Sequence, residues 1–228
     1  VEVNKFIANI DQIEEKINKK TAAILIPNLL GNIPDWDKIK KLADKYNLYV
    51  IEDSADTVGY TLNKKNTGKL SDIVTTSFYA SHVITGAGFG GMACFNDQKL
   101  YNEAKLLRGW GRSSAIFNES ESIEKRFYSK VSGIDYDQKY IFSKMGYNFL
   151  PSELSAAFAI EQLKSLKTNI KKRIQNFDYL KKIFTPFNDL FSLPIINKEV
   201  HSGWLAFAMT IKKNIFFNRR DLQIFLEK

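Results

Sequence analysis

The apolar positions of this chain form short runs and staggered stripes that alternate through its first half. "AAILIP", Ala22 to Pro27, is an unbroken apolar run of the kind that forms a strand buried on both faces. In "DWDKIKKLADKY", which follows, Trp36, Ile39, Leu42, Ala43 and Tyr46 recur at helical spacing with lysines outside the stripe. Asp35, just after Pro34, supplies an N-cap, because its carboxylate can accept from the free N–H groups of the first turn. "LYVIED" then returns to a strand pattern. Strand, helix and strand within about thirty residues make a βαβ unit, whose crossover is nearly always right-handed and whose strands are parallel. The expected class is therefore α/β.

"SDIVTTSFY" predicts a third strand, "GMACF" a fourth, and "NDQKLYNEAKLLRGWG" a capped helix closing near Gly109. From Arg112 to Ile141 the pattern loosens into polar sequence rich in Ser and Glu with no clear period. Excursions of that length in a compact domain are usually functional or flexible. "PSELSAAFAIEQLKSL" opens another helix, with Pro151 and Ser152 at its entrance and Ala156, Ala157 and Ala159 allowing close approach. A lysine-rich helix from Asn169 to about Phe184 continues it, "GWLAFAMTI" reads as a strand and "NRRDLQIFLEK" as a helix. The expected organisation is a large unit over 1–168, then a linking helix and the start of a smaller domain over 169–228.

Composition narrows the function classes. The 228 residues carry a formal net charge of +8, but apart from "KKR" at Lys171 to Arg173 and "NRR" at Asn218 to Arg220 the cations are dispersed. A nucleic-acid footprint needs a concentrated basic face, so no nucleic-acid partner is expected and an anionic small molecule fits better. The single cysteine, Cys94, excludes an internal disulfide framework and a cysteine-rich metal site, and a reducing cytoplasm is the expected compartment. No signal peptide is visible, and no apolar run approaches the ~18 residues of a membrane helix, so no membrane partner is expected. The chain starts at Val1 without Met, the expectation for a piece of a longer polypeptide.

In sheets of this class ligands bind just beyond the carboxyl ends of the strands, which directs attention to Asp53–Asp56 and Ser77–His82. A carboxylate such as Asp53 closing a buried strand is costly unless a cation faces it, and a protonated heterocycle or a lysine would serve. Side chains alternate along a strand, so Glu52 and Asp53 face opposite ways and only one can enter a ligand crevice. Asp56 adds a second carboxylate, although "EDSAD" fits a solvated strand end with a helix cap equally well. Ser77 lies among hydroxyls suited to an anionic oxygen, or simply to a strand. His82 is suited to moving protons near neutral pH, or to a structural place in a loop. "TGAGFGG" lacks a P-loop "GK[ST]" and leads into a strand, so its glycines are read as letting the backbone turn closely beside a bound group. No metal cluster and no "GxSxG" elbow are present.

In order, "KKTAAILIPNLLGN", "DWDKIKKLADKYNLYVIEDSAD", "GKLSDIVTTSFYASH", "GGMACFNDQKLYNEAKLLRGWG" and "MGYNFLPSELSAAFAIEQL" resemble the DegT-type family of PLP-dependent nucleotide-sugar aminotransferases, a branch of the type I aminotransferase fold. The resemblance covers nearly everything from Val1 to about Leu166. It implies a mostly parallel or mixed sheet with helices on both faces, followed by part of a small α+β domain. It also implies that Asp53 pairs with the pyridine nitrogen of the cofactor, that Asp56 lies close to the ring where the family has Gln or His, and that Ser77 holds the phosphate. Asn148 of "GYN" would reach the site of a partner subunit, which implies a homodimer with a shared active site.

Five positions after Ser77, where the family's aminotransferases carry the lysine that bonds the cofactor, this chain has His82. An imidazole cannot form that link. The substitution resembles the nucleotide-sugar 3-dehydratases, which use untethered pyridoxamine phosphate, and "WGRSS" followed by "KYIFSKMGYN" fits that subgroup too. By this resemblance the substrate is a nucleotide-linked 4-keto-6-deoxyhexose, His82 is the catalytic residue that moves the proton, and the C3 hydroxyl leaves. One branch of the subgroup holds an iron-sulfur cluster through cysteines between "GWGR" and "GYN"; this chain has none there, so no cluster is expected. Phe89 in "GAGFGG" departs from the family, whose acidic residue precedes the final Gly-Gly. The competing expectations are an aminotransferase that recruits Lys69 or Lys99, and a non-catalytic scaffold of the same fold.

Overall fold

The structure, a computed structural model, describes residues 1–117, 122–213 and 216–228. Its first half runs α1 (Ile10–Glu14), β1 (Ala23–Pro27), α2 (Trp36–Lys45), β2 (Tyr49–Asp53), the short pair β3 (Thr61–Leu62) and β4 (Lys65–Asn66), β5 (Ile73–Ser77), β6 (Gly91–Phe95) and α3 (Gln98–Arg108). The main sheet has the order β1-β2-β5-β6, with the first three strands parallel and β6 antiparallel to β5. It is the mixed α/β sheet that the pattern and the resemblance predict.

Capping explains where the helices start. The Asp35 carboxylate accepts from the Lys38 N–H at 3.1 Å, and Asp97 accepts from the Leu100 N–H at 2.8 Å, each meeting a donor that the first turn leaves free. The α2 stripe buries Trp36, Ile39, Leu42 and Ala43 against Ile24, Ile26 and Val50. Strand β1 is not buried on both faces, as its apolar run suggests: Ile24 and Ile26 lie inside, whereas Leu25 is 62% exposed and Tyr49 beside it 55%. The reason is that α2 covers only one side of the sheet here. On the opposite face α3 reaches the β6 end, where Tyr101 meets Phe95 edge-on at 6.3 Å between ring centroids.

Register fixes which residues look out together. Leu25, Ile51, Ile73 and Phe95 align across the sheet, as do Pro27, Asp53, Thr75 and Ala93. Aligned residues share a face, so Asp53 stands with Thr75 while Glu52 points into the α2 side.

The second half comprises α4 (Ile123–Arg126), the hairpin β7 (Ser129–Val131) and β8 (Ile134–Tyr136), α5 (Glu153–Phe184), β9 (Phe191–Ser192), β10 (Val200–His201), β11 (Thr210–Ile211) and α6 (Arg219–Glu227). The excursion over 112–141 thus holds short elements of its own; residues 118–121 within it lie outside the described residues. Helix α5 runs unbroken through position 168. It packs closely on the turn before β3 because Gly59, at φ +81°, has no side chain: a Cβ there would lie 2.8 Å from Ile170 Cδ1.

"GWLAFAMTI" forms a strand only at Thr210–Ile211, antiparallel to β9. Its aromatic half serves α5 instead, with Trp204 at φ +50° stacked on Phe177 at 4.9 Å. Arg173 Nη1 and the Tyr60 hydroxyl both donate to the Trp204 carbonyl. Burial pushes the Tyr60 phenol up to about 12. Among the described residues no helix is long and apolar enough to cross a membrane.

Candidate active site

Three turns meet beyond the carboxyl ends of β1, β2 and β5. Backbone bonds extend the sheet into them: Asn28 N–H donates to the Asp53 carbonyl at 2.9 Å, and Ser54 N–H to that of Thr75 at 2.8 Å. In the first turn Leu30 takes the left-handed conformation (φ 58°, ψ 13°), uncommon for a residue with a Cβ. Its N–H donates to Asp56 Oδ2 at 2.8 Å, which pins that carboxylate. In the second turn Asp53 Oδ1 accepts from the Ala55 N–H at 3.1 Å.

The third turn carries His82, whose backbone N–H donates to the Tyr79 carbonyl at 3.1 Å. The Tyr79 ring stands edge-on to the imidazole at 6.2 Å. His82 Nε2 lies 3.8 Å from Asp56 Oδ1, and His82 Nδ1 is buried without a hydrogen-bond partner among the described residues. Burial raises the Asp56 carboxyl above its ordinary value near 3.8; the Leu30 N–H and His82 pull it back, and the charge of Asp53 adds to the rise. Asp53, Asp56 and His82 are therefore brought into one electrostatic group. His82 also walls a cleft of about 490 Å³, facing Asn169 and Lys172 of α5.

Ser77, at the end of β5, lies two positions beyond Thr75 and so on the Asp53 face, and its Oγ accepts from the Tyr79 N–H at 3.1 Å. The glycines of "TGAGFGG" close the return from β5 to β6, with Phe78 N–H donating to the Gly90 carbonyl at 3.0 Å. A Cβ on Gly91 would lie 2.8 Å from the Thr76 carbonyl oxygen, which is why the strand starts with glycine. Asn148 is elsewhere: it is exposed, bridges Gly109 at the end of α3, and makes no hydrogen bond with Asp53, Asp56, Ser77 or His82 among the described residues. Lys69 borders a cleft on the Glu52 side of the sheet and Lys99 sits in the first turn of α3, so neither stands with His82.

Sequence reasoning missed the importance of Glu52. It is 1% exposed. Its Oε1 accepts from Asn28 Nδ2 at 2.8 Å and Ser54 Oγ at 2.7 Å, and its Oε2 from the Gly68 N–H at 2.8 Å. Asn28 Nδ2 also donates to Thr57 Oγ1, and Asn28 Oδ1 accepts from Trp36 Nε1. This buried network ties the turn after β1 to the one that carries Asp53 and Asp56. The available signal was the set Asn28, Ser54 and Thr57 placed at strand ends next to an alternating acid.

The structure of GDP-4-keto-6-deoxy-D-mannose-3-dehydratase from E. coli with bound hydrated PLP superposes with a TM-score of 0.82 at 28% identity, over 100% of this chain and 56% of that one. The fold thus falls in the PLP-dependent aminotransferase class. The chain belongs to the DegT/DnrJ/EryC1/StrS aminotransferase family, whose model matches residues 1–228. It is 33% identical over 225 residues to the lipopolysaccharide biosynthesis protein RfbH of Salmonella typhimurium, covering 96% of this chain and 51% of that protein. It is 33% identical over 230 residues to dTDP-4-dehydro-2,6-dideoxy-D-glucose 3-dehydratase of Saccharopolyspora spinosa, covering 100% and 49%. The chain spans about half the length of these curated relatives.

Proposed function

We propose that this chain is part of a pyridoxamine-phosphate-dependent enzyme that removes the C3 hydroxyl of a nucleotide-linked 4-keto-6-deoxyhexose, in deoxysugar or lipopolysaccharide biosynthesis. The observation that carries the reading is His82, held beside Asp56 with a buried nitrogen that has no partner among the described residues, at the position where the resemblance would put an aminotransferase's lysine. The donor set suits the cofactor: Asp53 offers a partly buried carboxylate with one intramolecular donor, and Ser77 an oxygen on the same face. The relatives' names, and the PLP bound in the E. coli structure, support the same choice.

When bound, pyridoxamine phosphate supplies an amine that links to the C4 ketone and a ring that accepts electron density. Asp53 would hold the ring nitrogen in its protonated form, and the Ser77 hydroxyl would donate to the phosphate. His82 would accept a proton from the carbon that bears the cofactor's amine and, as the imidazolium, donate it to the departing hydroxyl; the electron pair of that C–H bond would expel the hydroxyl, which leaves as water. Leu25 and Tyr49 stand exposed on the Asp53 side of the sheet.

Asn148 enters the proposal through a homodimer, reaching the partner's site from its position beside Gly109. The exposed run around it, with Met145 96%, Phe149 67% and Leu154 83% accessible, supports a protein interface. The test uses the full-length enzyme with pyridoxamine phosphate and a nucleotide-linked 4-keto-6-deoxyhexose: loss of the 3-hydroxyl is expected, cut by about 10²- to 10⁴-fold in His82→Asn. A cofactor found reductively trapped on a lysine would overturn the reading. Mixing His82→Asn with Asn148→Ala protomers should restore part of the activity if the site is shared, and none if it is not.

A further inference from the structure

We infer that Asp56 is a positioning residue for His82, which selects the imidazole tautomer bearing its proton on Nε2 and leaves Nδ1 unprotonated. The inference rests on the proposed function for the catalytic meaning of that tautomer, but its geometry is independent of it. Asp56 Oδ2 is engaged by the Leu30 N–H at 2.8 Å, so the oxygen left to face the imidazole is Oδ1, 3.8 Å from Nε2. Both side chains are largely shielded, His82 at 21% and Asp56 at 14% side-chain exposure, which keeps water from competing for the ring. The other ring nitrogen is buried and has no partner among the described residues.

An acceptor-only carboxylate beside one nitrogen favours the proton there, and nothing competes for it at the other. The 3.8 Å separation exceeds a hydrogen bond, but catalytic contacts of this type tighten when the site is loaded. The remaining groups around the imidazole do not reverse the preference. Asp53 acts through Asp56, Tyr79 presents a ring edge, and Lys172 and Arg173 line the α5 wall of the cleft, with Arg173 Nη1 donating to the carbonyls of Trp204 and Leu205.

The test reads the tautomer directly. In the ¹⁵N-histidine-labelled full-length protein, the imidazole signals that vanish in a His82→Gln variant are those of His82. Long-range ¹H–¹⁵N correlation spectra above the imidazole titration should show His82 protonated on Nε2. In Asp56→Asn the amide keeps Leu30 with its oxygen and turns its NH₂ toward Nε2, so the proton should move to Nδ1. In the full-length enzyme that inversion should lower kcat by about 10³- to 10⁴-fold with little change in KM, the size seen when a carboxylate behind a catalytic histidine becomes an amide. Wild-type His82 protonated on Nδ1, or a tautomer indifferent to Asp56→Asn, overturns the inference. Both readouts stand apart from the proposed reaction: the predicted tautomers without any dehydration would sink that reaction and leave the positioning intact.

Discussion

Glu52 and Asp53 are neighbours on one strand and opposites in everything else. The Glu52 carboxylate is wholly enclosed and collects donors from Asn28, Ser54 and Gly68. Across the sheet, among the described residues, Asp53 accepts one intramolecular hydrogen bond, Asp56 holds one backbone donor, and His82 Nδ1 has none. An acid whose valences are filled holds the backbone in place; acids and bases with valences to spare are available to a ligand. The first arrangement supports the second, since Ser54 and Thr57 of the network flank the turn that carries Asp56.

The sharpest way to break this contrast is a double dissociation. Asp53→Asn and His82→Asn should cost the full-length enzyme about 10²-fold or more in dehydration, while circular-dichroism melts stay within a few degrees of wild type. Glu52→Ala should do the reverse, leaving the Gly68 N–H without its acceptor, removing one acceptor each from Asn28 and Ser54, and costing about 3 kcal/mol, or about 6–12 °C in midpoint. A Glu52→Ala protein that melts like the wild type would dissolve the distinction.

Next in size is Gly31→Ala. Gly31 sits at φ +94°, and an added Cβ would lie 2.9 Å from Trp204 Cα, so a loss of about 2 kcal/mol is expected from urea titration. Because this turn carries the Leu30 N–H that pins Asp56, activity should fall along with stability.

The smallest effect has the opposite sign. Burial raises the Asp56 pKa in the folded chain, so its protonated form favours folding below the ordinary value near 3.8, and that contribution is lost as pH rises through the folded pKa. Asp56→Asn should therefore raise the melting midpoint slightly at pH 7, with the gain shrinking as pH approaches 4. Melts of both proteins from pH 4 to 8 read the trend, and a constant difference across that range would remove the assigned cause.

Much of the fold was legible because its cues are local. The α2 stripe, the caps at Asp35 and Asp97 and the strand at "GMACF" depend on a few neighbours each. Whether Leu25 faces protein or solvent depends on what lies across the sheet, and that is absent from a run of apolar letters. "GWLAFAMTI" misled for a related reason: Trp204 and Phe207 belong by composition to a strand, yet their rings pack on Phe177. At the site, alternation separated Asp53 from Glu52 correctly. The approach of Asp56 to His82 was not legible, because it depends on two turns docking across 26 positions of chain. Nor was the Glu52 network, since a glutamate in a sequence carries no mark of the donors that will surround it.

One peptide in the first turn joins distant parts of the molecule. Leu30 gives its N–H to the Asp56 carboxylate at 2.8 Å, and its carbonyl accepts from the Leu205 N–H at 2.7 Å. A single residue is thus a rivet between the acidic group and the aromatic strap that follows β10. If the strap shifts, Leu30 must release one of its two grips or carry the carboxylate along, so events more than a hundred residues downstream have a short mechanical route to the imidazole.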